Sequence, residues 1–170
     1  SGSLSFTIKG ADDVYLAAPT AGALTEGSTA SVTGTLSGTD PAGAALNYSI
    51  SGSIAVDGSF SATGTYGTLT VNATTGAYEY KLSDTVGSTQ LASTDAIIKD
   101  AVATETFKVK VDNGTDRSTK DLTIQITGIN DTPVVTAPTT GSLVEGAVAN
   151  TVVNTLTALD PDTDETAGIT

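Results

Sequence analysis

Several oxygen-bearing side chains stand at spacings that suit a hard cation. Asn130 and Asp131 are adjacent, just ahead of Thr132-Pro133, and Asp160, Asp162 and Asp164 follow at alternate positions. Glu26 lies earlier, in a loop that enters a candidate strand. Calcium takes about six to eight oxygens from carboxylates, amide and backbone carbonyls and water. Carboxylates gathered this way repel one another. Without metal the flanking segments should swing, and with metal the repulsion becomes a clamp. An earlier set, Asp12, Asp13 and Asp40, occupies equivalent positions, but Asp40-Pro41-Ala42 lacks the second aspartate, so that site is expected to be weaker or completed differently. The plainer reading is that Asn130-Asp131 makes a turn before Pro133 and that Asp160 to Asp164 is a solvated loop.

Other constellations carry less. Asp112-Asn113-Gly114-Thr115-Asp116 has the look of a calcium loop, but it lacks a distal bidentate Glu and runs into Arg117, so a hairpin turn is the expectation. Nothing in the spacing of Asn72 and the lysines supports an isopeptide crosslink. The chain has no His and no Cys, which removes the ordinary Ser-His triad, thiol–zinc sites and disulfides. No enzyme is expected. The 19 acids against 7 Lys plus Arg give a formal charge of −12, which argues against nucleic acid as a partner. No apolar run approaches the roughly 18 residues of a membrane span, so no membrane insertion is expected, and no signal peptide is visible. With no Met in its 170 residues, the chain is expected to be an excised or processed piece of something longer.

The elements that must position these groups are strands. Phe107, Val109 and Val111 alternate with polar residues, as do Leu122, Ile124 and Ile126, and Tyr78, Tyr80 and Leu82. Further strands are predicted over Leu4 to Lys9, Ala30 to Leu36, Leu46 to Ile50, Ser53 to Val56, Ser59 to Ala62 and Gly67 to Ala73. Asp57-Gly58, Thr74-Thr75-Gly76 and Asp112-Asn113-Gly114 mark turns. Ala92 to Lys99 is predicted to make a short helical turn. The aromatic residues Phe60, Tyr66, Tyr78, Tyr80 and Phe107 are assigned to the core. Short strands with turns at this frequency predict an all-β, antiparallel two-sheet sandwich of Ig or cadherin type.

The chain also repeats itself. Leu4, Phe6 and Ile8 followed by Gly10 match Leu122, Ile124 and Ile126 followed by Gly128 (Leu4 to Leu122, a shift of 118). Ala18-Pro19-Thr20 to Glu26-Gly27 matches Ala137-Pro138-Thr139 to Glu145-Gly146 (Ala18 to Ala137, 119), and Thr35-Leu36 to Asp40-Pro41 matches Thr155-Leu156 to Asp160-Pro161 (Thr35 to Thr155, 120). Three blocks in fixed order predict tandem domains: residues 1–11 the last strand of one repeat, 12–131 a complete repeat, and 132–170 the first third of the next.

Gly64-Thr65-Tyr66-Gly67-Thr68-Leu69-Thr70-Val71-Asn72-Ala73 with Gly76-Ala77-Tyr78-Glu79-Tyr80, then Glu105-Thr106-Phe107 to Val111-Asp112-Asn113-Gly114, then Leu122 to Val134, resemble the signature of VCBS repeats. These are the cadherin-like or Ig-like extender repeats of large bacterial surface proteins, including RTX-type adhesins. The resemblance covers roughly residues 12–134 and departs over 83–104, where the usual Gly-rich loop is absent. It implies a secreted, cell-surface extender module, often rigidified by Ca2+, in proteins of adhesion and biofilm formation. The implied partners are neighbouring repeats of the same polypeptide, and a host or abiotic surface reached through remote domains. Glu26, Asn130-Asp131 and Asp160/Asp162 resemble the cadherin linker, where a Glu of one domain, an Asn-Asp linker and a DxD of the next converge. Two alternatives stand beside this reading. One is a subunit of an extracellular filament or surface layer built by strand addition. The other is a sandwich that binds carbohydrate or protein.

Overall fold

The computed structural model describes residues 13–83, 97–136, 141–154, 157–160 and 162. In chain order its strands are β1 (Tyr15–Leu16), β2 (Gly22–Thr25), β3 (Ser31–Thr35), β4 (Gly38–Thr39), β5 (Asn47–Ile50), β6 (Ala55–Val56), β7 (Ser59–Thr63), β8 (Gly67–Asn72), β9 (Ala77–Leu82), β10 (Val102–Asp112), β11 (Arg117–Thr127), β12 (Val134–Thr136) and β13 (Thr157–Leu159). There is no helix among the described residues, and so none long and apolar enough to cross a membrane. The predicted strand at Leu4 to Lys9 and most of the predicted helical turn at Ala92 to Lys99 lie outside the described residues. The rest of that turn, Ile97 to Lys99, forms a bend and a turn.

Two principal sheets supply one core. One runs β2-β11-β10-β5, the other β3-β9-β8-β7-β6. Strand periodicity decides which residues enter it, because successive side chains point to opposite faces. Leu69 and Val71 of β8, Tyr78, Tyr80 and Leu82 of β9, Phe107, Val109 and Val111 of β10, and Leu122, Ile124 and Ile126 of β11 are all buried in a single cluster. The Tyr80 and Phe107 rings meet across the sheets at 5.8 Å, tilted by 58°, within the range where ring edges and faces attract. Phe60 and Tyr66 are half-buried against the same cluster.

The hairpins follow their turn residues. Asp57 (φ 48°) and Gly58 (φ 75°) are both left-handed, the geometry a two-residue turn needs to match strand twist. Asn72 Oδ1 accepts hydrogen bonds from the N–H of Thr74 (3.1 Å) and of Thr75 (2.9 Å), which holds the turn into β9 and accounts for that side chain. Asn113 does the same for the β10–β11 loop, accepting from Thr115 N (2.9 Å) and Asp116 N (2.8 Å). The Asp112 to Asp116 stretch is thus a hairpin loop organised by an internal amide.

One expectation is corrected. The sandwich is not purely antiparallel: β2 runs parallel to β11, with Gly22 opposite Ile124 and Thr25 opposite Thr127. After β2 the chain turns at Glu26-Gly27 and enters the facing sheet as β3. Strand β2 therefore has no hairpin partner, and it lies beside the last long strand with the rest of the domain as its crossover.

Beneath the β7–β8 turn sits a buried acid. Glu105 shares the inward parity of Phe107 and Val109 and is 7% exposed. The Tyr80 hydroxyl donates to Glu105 Oε2 (2.6 Å), and the N–H groups of Thr65 and Tyr66 both donate to Oε1. Glu105 belongs to one sheet and Tyr80 to the other, so the bond spans the sandwich. Burial first, and then the hydrogen bond to Glu105, push the Tyr80 phenol far above its ordinary range.

Candidate metal centre at the junction

The parallel pairing of β2 with β11 places the first acid. Because Thr25 stands opposite Thr127, the next residue, Glu26, lies beside the chain as it leaves β11. Its N–H donates to Thr127 O (2.9 Å), and its Oε2 accepts from the N–H of Ile129 (3.0 Å). The Glu26 side chain is buried and hangs on the junction segment, 103 positions away in sequence.

A second pair of acids reaches the same segment from the other side. Strand β12 pairs with β13 (Val134 opposite Leu159, Val135 opposite Ala158), which brings the Asp160 loop back toward residue 131. The Asp131 N–H donates to Asp162 Oδ2 (2.8 Å), and the Asp162 N–H donates to Asp160 Oδ1 (3.1 Å). Asp160 is 5% exposed and Asp162 is fully buried. Asn130 is exposed, and its side-chain amide donates to Asp131 O (3.0 Å). Glu26 and Asp162 thus engage backbone N–H groups two residues apart, a separation of roughly 6–7 Å along an extended chain.

The electrostatics of this end are one-sided. No lysine or arginine pairs with Asp160 or Asp162 among the described residues. Asp162 Oδ1 is buried without a hydrogen-bond partner there. A buried carboxylate is costly unless a cation or several donors compensate it. The donor set is entirely oxygen, which fits a hard cation and not a soft one. No three acids stand together at metal-holding spacing among the described residues. The acids are therefore strung along the linker backbone, Glu26 on the N–H of Ile129 and Asp162 on that of Asp131, and do not close into one cluster.

The earlier set is arranged differently. Asp12 lies outside the described residues, and Asp13 is exposed. Asp40 is drawn into its own loop: Oδ1 accepts from Ala42 N (2.9 Å), and Oδ2 accepts from Ala44 N (3.0 Å) and from the side-chain amide of Asn113 (3.2 Å). The first of these bonds has the form of the Asp160 Oδ1 to Asp162 N bond, since residue 42 shifted by 120 is residue 162. The strand ladders correspond too. Tyr15 opposite Thr39 and Leu16 opposite Gly38 become Val134 opposite Leu159 and Val135 opposite Ala158, under shifts of 119 (Leu16 to Val135) and 120 (Gly38 to Ala158). The two segments differ at the decisive place: Ala42 is exposed where Asp162 is buried.

Compared with known proteins, the chain matches no family model and no curated protein.

Proposed function

We propose that this chain is a stretch of a tandem-repeat, VCBS-type surface adhesin and that its work is mechanical, as a Ca2+-stiffened extender with no catalytic role. The supporting observation is the junction. Acids from the sandwich (Glu26) and from the start of the following unit (Asp162) hold neighbouring backbone N–H groups of one linker, and a buried oxygen of Asp162 is left for a further ligand. A hard cation bound there would neutralise carboxylates whose repulsion otherwise favours separation. Glu26, Asp131, Asp160 and Asp162 would supply the charge, and Asn130 an amide oxygen. The correspondence of the β1–β4 and β12–β13 registers supports the repeat reading, and with it a role that spans distance by stringing copies at the cell surface.

The test is calcium titration by calorimetry on the whole chain, with thermal melts in calcium and in chelator. Heat of binding and a lowered melting temperature in chelator are expected. Asp131→Ala and Asp162→Asn should each weaken binding more than Asp57→Ala does. No response to calcium in either assay sinks the reading.

A further inference from the structure

A polar cleft lies at the opposite flank of the sandwich, independent of the junction. Its volume is about 360 Å³, and Asn47 and Ser49 of β5, Lys110 and Asp112 of β10, Arg117 of β11 and Phe60 of β7 line it. The fold places these groups together by parity. Tyr48 and Ile50 enter the core, so Asn47 and Ser49 face outward, opposite Asp112 and Lys110 in the ladder, and Asp112 in turn stands opposite Arg117 in the β10–β11 backbone register. Two of the few cations of a strongly acidic chain therefore share one cleft.

The polar groups there are incompletely used. Ser49 is 4% exposed, and its hydroxyl has no hydrogen-bond partner among the described residues. Lys110 pairs with Asp112 (3.1 Å), whereas Arg117 makes no ion pair among the described residues. A buried hydroxyl without a partner is expensive. A ligand oxygen would relieve it.

An added peptide strand is poorly served here. On the free edge of β5, Tyr48 N already donates to Ala73 O (2.8 Å), and Ile50 O already accepts from both Ser53 N (3.2 Å) and Ser53 Oγ (2.8 Å). Strand addition relies on such edge groups being open. What remains is side-chain chemistry: a guanidinium with no ion pair among the described residues, the paired ammonium and carboxylate of Lys110 and Asp112, an amide, a buried hydroxyl and one aromatic wall. A guanidinium binds a carboxylate through two parallel bonds. A fixed carboxylate such as Asp112 repels multiply charged anions but accepts hydrogen bonds from ligand hydroxyls. The volume lies at the small-ligand end of the usual range of roughly 300–1,000 Å³. We infer that this cleft binds an acidic sugar, a uronate whose carboxylate meets Arg117 and Lys110 while its hydroxyls meet Asp112, Asn47 and Ser49.

The test is NMR shift-perturbation titration of the whole chain, at low salt, with the monosaccharides galacturonate and glucuronate. Galactose, glucose and an oligo-aspartate peptide serve as comparison ligands. Uronates should move the cleft amides at millimolar concentration, and neutral sugars should bind more weakly. Arg117→Gln should lower uronate affinity by roughly tenfold, the scale of one charged hydrogen bond. Ser49→Ala is the sharper variant. Loss of an unpartnered hydroxyl should leave the melting temperature unchanged or raised, yet uronate affinity should fall severalfold. Unchanged affinity in Ser49→Ala, equal or tighter binding of oligo-aspartate, or no shift with any uronate would each overturn the assignment.

Discussion

Replacing Glu105 by alanine removes the acceptor of three donors at once. They are not equally vulnerable. Tyr80 is fully buried, so its hydroxyl would lose the one partner it has among the described residues with no water to replace it, whereas Thr65 is exposed and Tyr66 half-exposed, so their N–H groups can turn to solvent. An orphaned buried donor costs about 1–3 kcal/mol. The cavity left by the side chain adds to this, and relief from burying a carboxylate subtracts. The net expectation is a loss of about 3 kcal/mol, or a fall in melting temperature of roughly 10 °C for a chain of this size. Glu105→Gln keeps one acceptor oxygen and should cost about 1 kcal/mol. With no Trp in the chain, urea unfolding is best followed by far-ultraviolet circular dichroism and tyrosine fluorescence. The decisive measurement is the cycle with Tyr80→Phe. Because the two side chains share one bond, the double variant should be less destabilised than the sum of the singles by at least about 1 kcal/mol. Strict additivity would refute the argument that the bond across the sandwich is what Glu105 contributes.

Burial raises the phenols of Tyr78 and Tyr80, and Glu105 adds to the shift at Tyr80. A raised folded pKa gives stability that is complete below the unfolded phenol value of about 10 and declines above it, so the urea midpoint should begin to fall at about pH 10 and keep falling as the pH rises further. In Tyr80→Phe that fall should be shallower, and an unchanged slope would count against it. Leu69→Ala, at a fully buried position of β8, should lose about 3 kcal/mol by urea titration. Gly76→Ala should cost about 1 kcal/mol or more, because φ there is 70° and a Cβ would press on Leu36 O. A neutral result would mean that the turn relaxes.

What could be read in the sequence is what local alternation controls. Strands β8 to β11 and their inward faces follow from the apolar parity of Leu69, Tyr80, Phe107 and Ile124. Their turns follow from Thr74-Thr75-Gly76 and Asp112-Asn113-Gly114. The two-residue strands β1 and β4 carry no such signal, because their pairing is imposed by neighbours. The direction of β2 was equally hidden, since four residues do not encode whether their partner runs parallel. That pairing is also what brings Glu26 to Ile129, so the spacing of the acids was visible but the route joining them was not. Glu105 was legible in part: it stands in the inward register of Phe107 and Val109, and only its partner, 25 positions earlier in the facing sheet, was out of sight. Ser49, Lys110 and Arg117 converge only once β5, β10 and β11 are aligned.

The parallel β2–β11 pair also determines how the sandwich answers a pull. The start of β2 and the end of β11 lie at opposite ends of the same ladder, from Gly22 opposite Ile124 to Thr25 opposite Thr127. Tension applied along the chain would slide the two strands past one another, loading their hydrogen bonds in shear and together. A hairpin pulled from its open end would instead unzip them one by one. Among the described ladders, the one parallel pairing therefore lies where tension along the chain would be borne.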